Sequence, residues 1–138
     1  MADVTVKRHE DFDTAFGGAM RLVRHGLGVE SFGIQVFDMP PDADRYPEHD
    51  HSHDGQEEVY TVLEGMGILT AAGTDYEMRP GTWARVGPGE TRRWSTGAEG
   101  ARVLALGAMP GKAYEVHARG LLLRLRAWTS ASTERSRS

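Results

Sequence analysis

The sequence predicts an all-β domain, an antiparallel sandwich or barrel. Short runs rich in Val, Ile, Leu, Phe, Tyr and Trp recur along the chain. Its 17 glycines fall between those runs as punctuation, and turn signals follow one another closely. Strands are expected at Val4–Lys7, Val29–Asp38, Glu58–Leu63, Ile68–Ala71, Tyr76–Arg79, Trp83–Val86, Arg92–Ser95, Arg102–Gly107 and Ala113–Val116. The turns between them include Met39-Pro40-Pro41, Glu64-Gly65, Ala72-Gly73-Thr74-Asp75, Arg79-Pro80-Gly81, Gly87-Pro88-Gly89 and Thr96-Gly97. Elements spaced this closely leave no room for βαβ units.

Two stretches suit a helix. Asp11–Met20 has spaced apolar residues, but Gly17 and Gly18 limit it to a turn or two. Leu121–Trp128 is more helix-friendly, although its leucines would also suit a strand. Beyond Trp128 there is no apolar pattern, the signature of a disordered end. Residues 1–120 are thus expected to form one domain with an N-terminal flank, and 121–138 a basic, partly disordered segment.

Composition narrows the function. A chain of 138 residues is too short for two good cores. It is 39% hydrophobic and 26% charged, the balance of a globular protein. The absence of cysteine removes disulfides, thiolate metal ligands, iron–sulfur clusters and a cysteine nucleophile. No apolar run approaches the roughly 20 residues that cross a bilayer, and no secretory h-region opens the chain, so no membrane partner and a cytoplasmic location are expected. The net charge of −4 is uneven: 118–138 hold five arginines against Glu134, a net of +4, and the 11 basic and 19 acidic residues before them give −8. An acidic body is a poor surface for nucleic acid, whose phosphates need clustered positive charge.

The chemistry concentrates in Glu48-His49-Asp50-His51-Ser52-His53, followed by Glu57 and Glu58. In an extended strand, side chains at i and i+2 share a face, so His51 and His53 could converge on one ion, with His49 at the same parity. Neutral imidazoles with a carboxylate hold iron, and they also suit zinc, nickel or manganese. The opposing reading is a polar loop with exposed histidines. Parity on the strand that follows puts Glu58, Tyr60 and Val62 on one face. A bound ion would make an inward Glu58 sensible, since a buried carboxylate without a partner is costly.

These residues resemble the first motif of the cupin family, in which His-x-His is followed by three or four residues, Glu, six residues and Gly. Here His51-Ser52-His53 precedes Glu58 and Gly65 at that spacing, without the motif's leading glycine. The second motif runs Gly, five residues, Pro-x-Gly, two residues, His, three residues, Asn. Gly81 and Gly87-Pro88-Gly89 keep its spacing, with Arg92 in the histidine position and Thr96 in the asparagine position. The resemblance implies a jelly-roll barrel, a pocket inside it and pairing into a homodimer. It names no reaction, because one fold serves many.

Carried over residue by residue, the resemblance implies metal ligands at His51, His53 and Glu58, with Arg92 at the fourth position. A guanidinium has no lone pair to give. A three-ligand site, a site completed by His49, or a metal-free pocket are the outcomes left open. Arg92 beside a dication fits a clamp for a carboxylate, enolate or phosphate, or else a structural partner of Glu58 or Glu77. Tyr60 as a pocket donor and Trp94 as a pocket wall are, with Arg92, the candidate substrate-binding residues. Two functions follow: a metal-dependent enzyme, a dioxygenase or isomerase acting on a small anionic organic substrate with one divalent Fe, Mn, Ni or Zn ion; or a non-catalytic binding or sensor protein with no metal.

Overall fold

The computed structural model describes residues 2–44 and 46–111. In chain order the elements are β1 (Thr14–Ala15), β2 (Met20–Arg21), a short helix α1 (Val23–Leu27), β3 (Gly33–Met39), β4 (Glu57–Ala71), β5 (Thr74–Met78), β6 (Trp83–Val86) and β7 (Arg92–Ala108). All pairings are antiparallel, in one sheet of order β1-β2-β3-β7-β4-β5, with β6 also paired to β4. The all-β fold expected from the sequence is therefore present. The expected strand at Val4–Lys7 is absent, and in place of a helix over Asp11–Met20 stand two single 3-10 turns, His9–Asp11 and Phe16–Gly18, around the β1–β2 hairpin. Residues Ala113–Val116 and Leu121–Trp128, and the boundary at 120, lie outside the described residues.

Two strands expected as pairs of short ones are single and long. Glu58–Leu63 and Ile68–Ala71 fuse into β4, and Arg92–Ser95 and Arg102–Gly107 fuse into β7. The glycines read as turns are bends inside these strands. The β4–β7 register slips between Val62 and Glu64 and again between Gly65 and Gly67. Gly65 and Gly100 both take left-handed φ, 77° and 67°, at this bend. Gly67, just beyond, makes room for Trp94, whose ring would lie 2.9 Å from a Cβ there.

The bend folds the β4–β7 ladder over on itself. Its first half pairs Glu57–Gly65 with Ala101–Ala108, its second half Gly67–Ala71 with Arg92–Thr96. Alternation then sends Tyr60, Val62, Val103 and Ala105 from one half, and Leu69, Ala71 and Trp94 from the other, into one buried cluster. Tyr60 and Trp94 meet edge to face across it, ring centroids 5.5 Å apart. Trp83 and Arg85 share the outward face of β6, with Ala84 and Val86 turned in.

Gly65→Ala is expected to lower stability by about 1–3 kcal/mol, since its Cβ would collide with the Gly100 carbonyl at a left-handed φ. Thermal unfolding checks this; an unchanged Tm would show that the bend tolerates a side chain.

Candidate functional site

Glu58 stands near the start of β4, opposite Val86 of β6 on one side and Gly107 of β7 on the other. Gly107 packs closely here: a Cβ on it would lie 3.0 Å from Gln56 Oε1 and in ordinary contact, 3.6 Å, with Glu58 Cγ. The other end of the folded ladder supplies the facing wall. There His49 and Arg92 exchange backbone hydrogen bonds, His49 N–H to Arg92 O at 3.0 Å and Arg92 N–H to His49 O at 2.9 Å. His51 N–H donates to Pro88 O at 2.8 Å.

Between His49 and His51 the period-two rule holds, and both rings turn to Glu58: Nε2 lies 3.7 Å from Glu58 Oε1 for His49 and 2.9 Å for His51. After His51 the chain turns. The N–H groups of Asp54 and Gly55 both donate to His51 O, and Gly55 takes φ 71°. The turn carries His53 off the shared face. Its side chain is 75% exposed and its near charge is Asp54, at 3.4 Å. The expected trio His51, His53 and Glu58 is therefore not brought together; His49, His51 and Glu58 are, with donor atoms close enough for one ion.

The outer nitrogens of the two rings are held from behind. His49 Nδ1 faces Pro47 O at 3.1 Å, and a carbonyl only accepts. His51 Nδ1 faces both oxygens of Asp54, at 3.0 and 3.2 Å. Gln56 fixes that carboxylate through its backbone N–H at 3.2 Å and its side-chain amide at 3.0 Å. Each Nδ1 thus has an acceptor behind it, and each Nε2 is turned toward Glu58 Oε1. A ring with its proton on Nδ1 can donate from Nε2 to Glu58 as an imidazolium or, when neutral, offer that lone pair to an ion shared with the carboxylate, and one dication would engage all three donors. A carboxylate behind a ligand histidine is also the usual support of a metal site. The donor set fits a divalent ion.

Glu58 Oε1 also accepts from Tyr60 Oη at 2.6 Å. Burial pushes the Glu58 carboxyl up, but His49, the Tyr60 hydroxyl, His51 and Arg92 outweigh it and hold it below its ordinary value. Glu58 in turn raises His49 above an ordinary imidazole, against the effect of burial. Burial, with Glu58 close by, pushes both Tyr46 and Tyr60 up, so both stay neutral hydroxyls.

Arg92 is fully buried. Nη2 donates to Gly87 O at 2.8 Å and Val86 O at 3.3 Å, and Nη1 lies 3.8 Å from Glu58 Oε1. Nε and Nη1 have no hydrogen-bond partner among the described residues. Of the two structural partners considered for Arg92, Glu58 is the one that faces it; Glu77 pairs with Arg79 instead. Trp94 is buried on the same face of β7, its Nε1 also without a partner.

Beside His49 opens a cavity of about 630 Å³, lined mostly by apolar side chains such as Phe16, Met20, Phe37, Pro41 and Tyr46. Tyr46 packs edge-on to Phe37 at 5.2 Å and lies 6.0 Å from the His49 ring. Thr96, in the asparagine position, anchors the loop leading here: its hydroxyl donates to Pro40 O and accepts from Ala43 N–H, at 2.6 and 2.8 Å. The sequence reading missed Asp54, Tyr46 and this role of Thr96. Asp54-Gly55, an ordinary turn pair, was the available signal that the extended run stops at His51.

Solved structures with a similar fold include a cupin protein from Bacteroides fragilis, with a TM-score of 0.68, 19% identity, and 84% of this chain and 92% of that one covered. A predicted oxalate decarboxylase from Thermotoga maritima has a TM-score of 0.60 at 20% identity, over 76% and 99% of the two chains. KdgF from Halomonas sp. has 0.60 at 15%, over 77% and 92%. No curated protein matches the sequence. The cupin domain family matches residues 35–107, the span from β3 through both long strands to Gly107 opposite Glu58, and the chain belongs to that family.

Proposed function

We propose that this protein is a metal-binding cupin that acts on a small anionic organic molecule, as an isomerase, decarboxylase or dioxygenase. The observation that carries it is the convergence of the His49 and His51 Nε2 atoms on Glu58 Oε1, each ring held from behind. His49, His51 and Glu58 would hold one divalent Fe, Mn, Ni or Zn ion, which when bound supplies Lewis-acid polarisation of a substrate oxygen. The chain's own part is to orient and enclose. Asp54 fixes the His51 ring, and Tyr60 holds Glu58 through a neutral hydroxyl. The apolar cavity beside His49 offers low-polarity room for the substrate's carbon frame. The resemblance to a predicted oxalate decarboxylase agrees with a small anion as substrate.

A second reading is a metal-free binding pocket, favoured by the buried Arg92 cation 3.8 Å from Glu58. Elemental analysis of untagged protein separates the two. Wild type is expected to hold close to one first-row metal per chain, and His51→Ala with Glu58→Ala to hold none while staying folded. His53→Ala should keep its metal. Full retention by the double variant would sink the assignment, and loss in His53→Ala would restore His53 as a ligand.

Asp54→Asn should weaken metal affinity about 10–100-fold with little change in Tm, since it removes the charge that fixes the His51 ring. Equal affinity in a metal titration would show that Asp54 serves the turn alone. We also propose the homodimer expected from the sequence, on the exposed outer face that carries Trp83 and Leu63. Sedimentation should give a dimer for wild type and a monomer for Trp83→Glu; a monomeric wild type would remove the idea.

A further inference from the structure

Arg92 gives the site a charge balance of its own. As ligands the two imidazoles would be neutral; with one carboxylate they surround the place where an ion would sit, and the guanidinium already offsets the Glu58 charge across 3.8 Å. A dication there would meet a donor set with no net negative charge left. The other carboxylates at hand keep their charge but are turned to other partners: Asp54 to His51 Nδ1 and to Gln56, and Asp50 to the Ser52 N–H at 3.0 Å. A half-buried dication whose ligands carry so little opposing charge is held weakly.

The same side chain shows what would relieve it. Nε and Nη1 of Arg92 are wholly buried and donate to nothing among the described residues, although Nη2 is tied down by two carbonyls. Buried donors are nearly always satisfied, and a guanidinium's natural acceptor is an oxyanion. One group would answer both needs: a carboxylate-type anion that shares the ion's charge with one oxygen and accepts from Arg92 with another.

We propose that Arg92 makes metal binding conditional on an anion, so that ion and small carboxylate bind together and neither binds tightly alone. This rests on the three-donor reading of His49, His51 and Glu58 and adds the rule by which that site fills. Coupling of this kind is reciprocal: the factor by which the anion tightens the metal is the factor by which the metal tightens the anion. A histidine in the position of Arg92 would remove both the charge and the requirement.

The test is a Mn(II) titration of metal-stripped protein, read by the spin-resonance signal of the free ion, in chloride buffer and in acetate buffer of equal ionic strength. In wild type, acetate is expected to tighten Mn(II) about tenfold or more. A protein-free titration of Mn(II) in the acetate buffer supplies the reference for acetate's own weak hold on the ion. Arg92→His should bind Mn(II) tightly in chloride, with less than about a twofold gain from acetate. Equal affinity of wild type in the two buffers overturns the anion requirement and leaves the three-donor site standing. No uptake by wild type in either buffer overturns the site itself, and the inference with it. An acetate gain in Arg92→His as large as in wild type would also overturn the inference, since the effect would then not come from Arg92.

Discussion

The structure depends on one ladder, the antiparallel pairing of β4 with β7, and on the bend that doubles it over. Residues 57 to 71 run along 92 to 108, and between the slips the pairing sets which side chain faces inward at every level. β3, β5 and β6 each add to an edge of this pair. The register puts Glu58 beside Gly107 at one end and Ala71 beside Arg92 at the other. Only the fold-over at Gly65 and Gly100 brings those ends within 3.8 Å of each other. The candidate site is thus the seam where the ladder meets itself, and barrel closure and site assembly are one event.

At that seam electrostatics, not packing, decides what is built. Apolar residues at positions 58 and 92 would close the seam without a desolvation cost. The chain instead places a carboxylate, two imidazoles and a guanidinium there, with two arginine nitrogens left unsatisfied at about 1–3 kcal/mol each. Against a total stability of roughly 5–15 kcal/mol such a cost is substantial. Groups kept at this expense mark a place where the molecule handles charge.

Most of the frame was legible in the sequence because it is written in period-two alternation. β6 was read to the residue, and the inward parity of Glu58, Tyr60, Arg92 and Trp94 follows from counting along β4 and β7. What was not legible lay where local signals mean two things. Glu64-Gly65 and Thr96-Gly97 have the composition of turns yet lie within long strands at or near the bend, because tertiary pairing on both sides overrides the local preference. His49, His51 and His53 share a parity only while the chain stays extended, and the turn onto Gly55 ends that extension at His51. Spacing alone pointed to the pair His51 and His53, whereas the backbone bridge between His49 and Arg92, a contact distant in sequence, selects the pair one step earlier.

The fold-over at Gly65 and Gly100 gives the molecule the mechanics of a clasp. Each of these glycines lies between the two halves of its strand, with Glu58 and Arg92 on the jaws. Anything that bridges the jaws holds the clasp shut, so an occupant at the seam would act on amides far from itself. Slowed exchange along both long strands, and not only around the histidines, would be its signature, which makes backbone exchange a way to screen for ligands before any reaction is known.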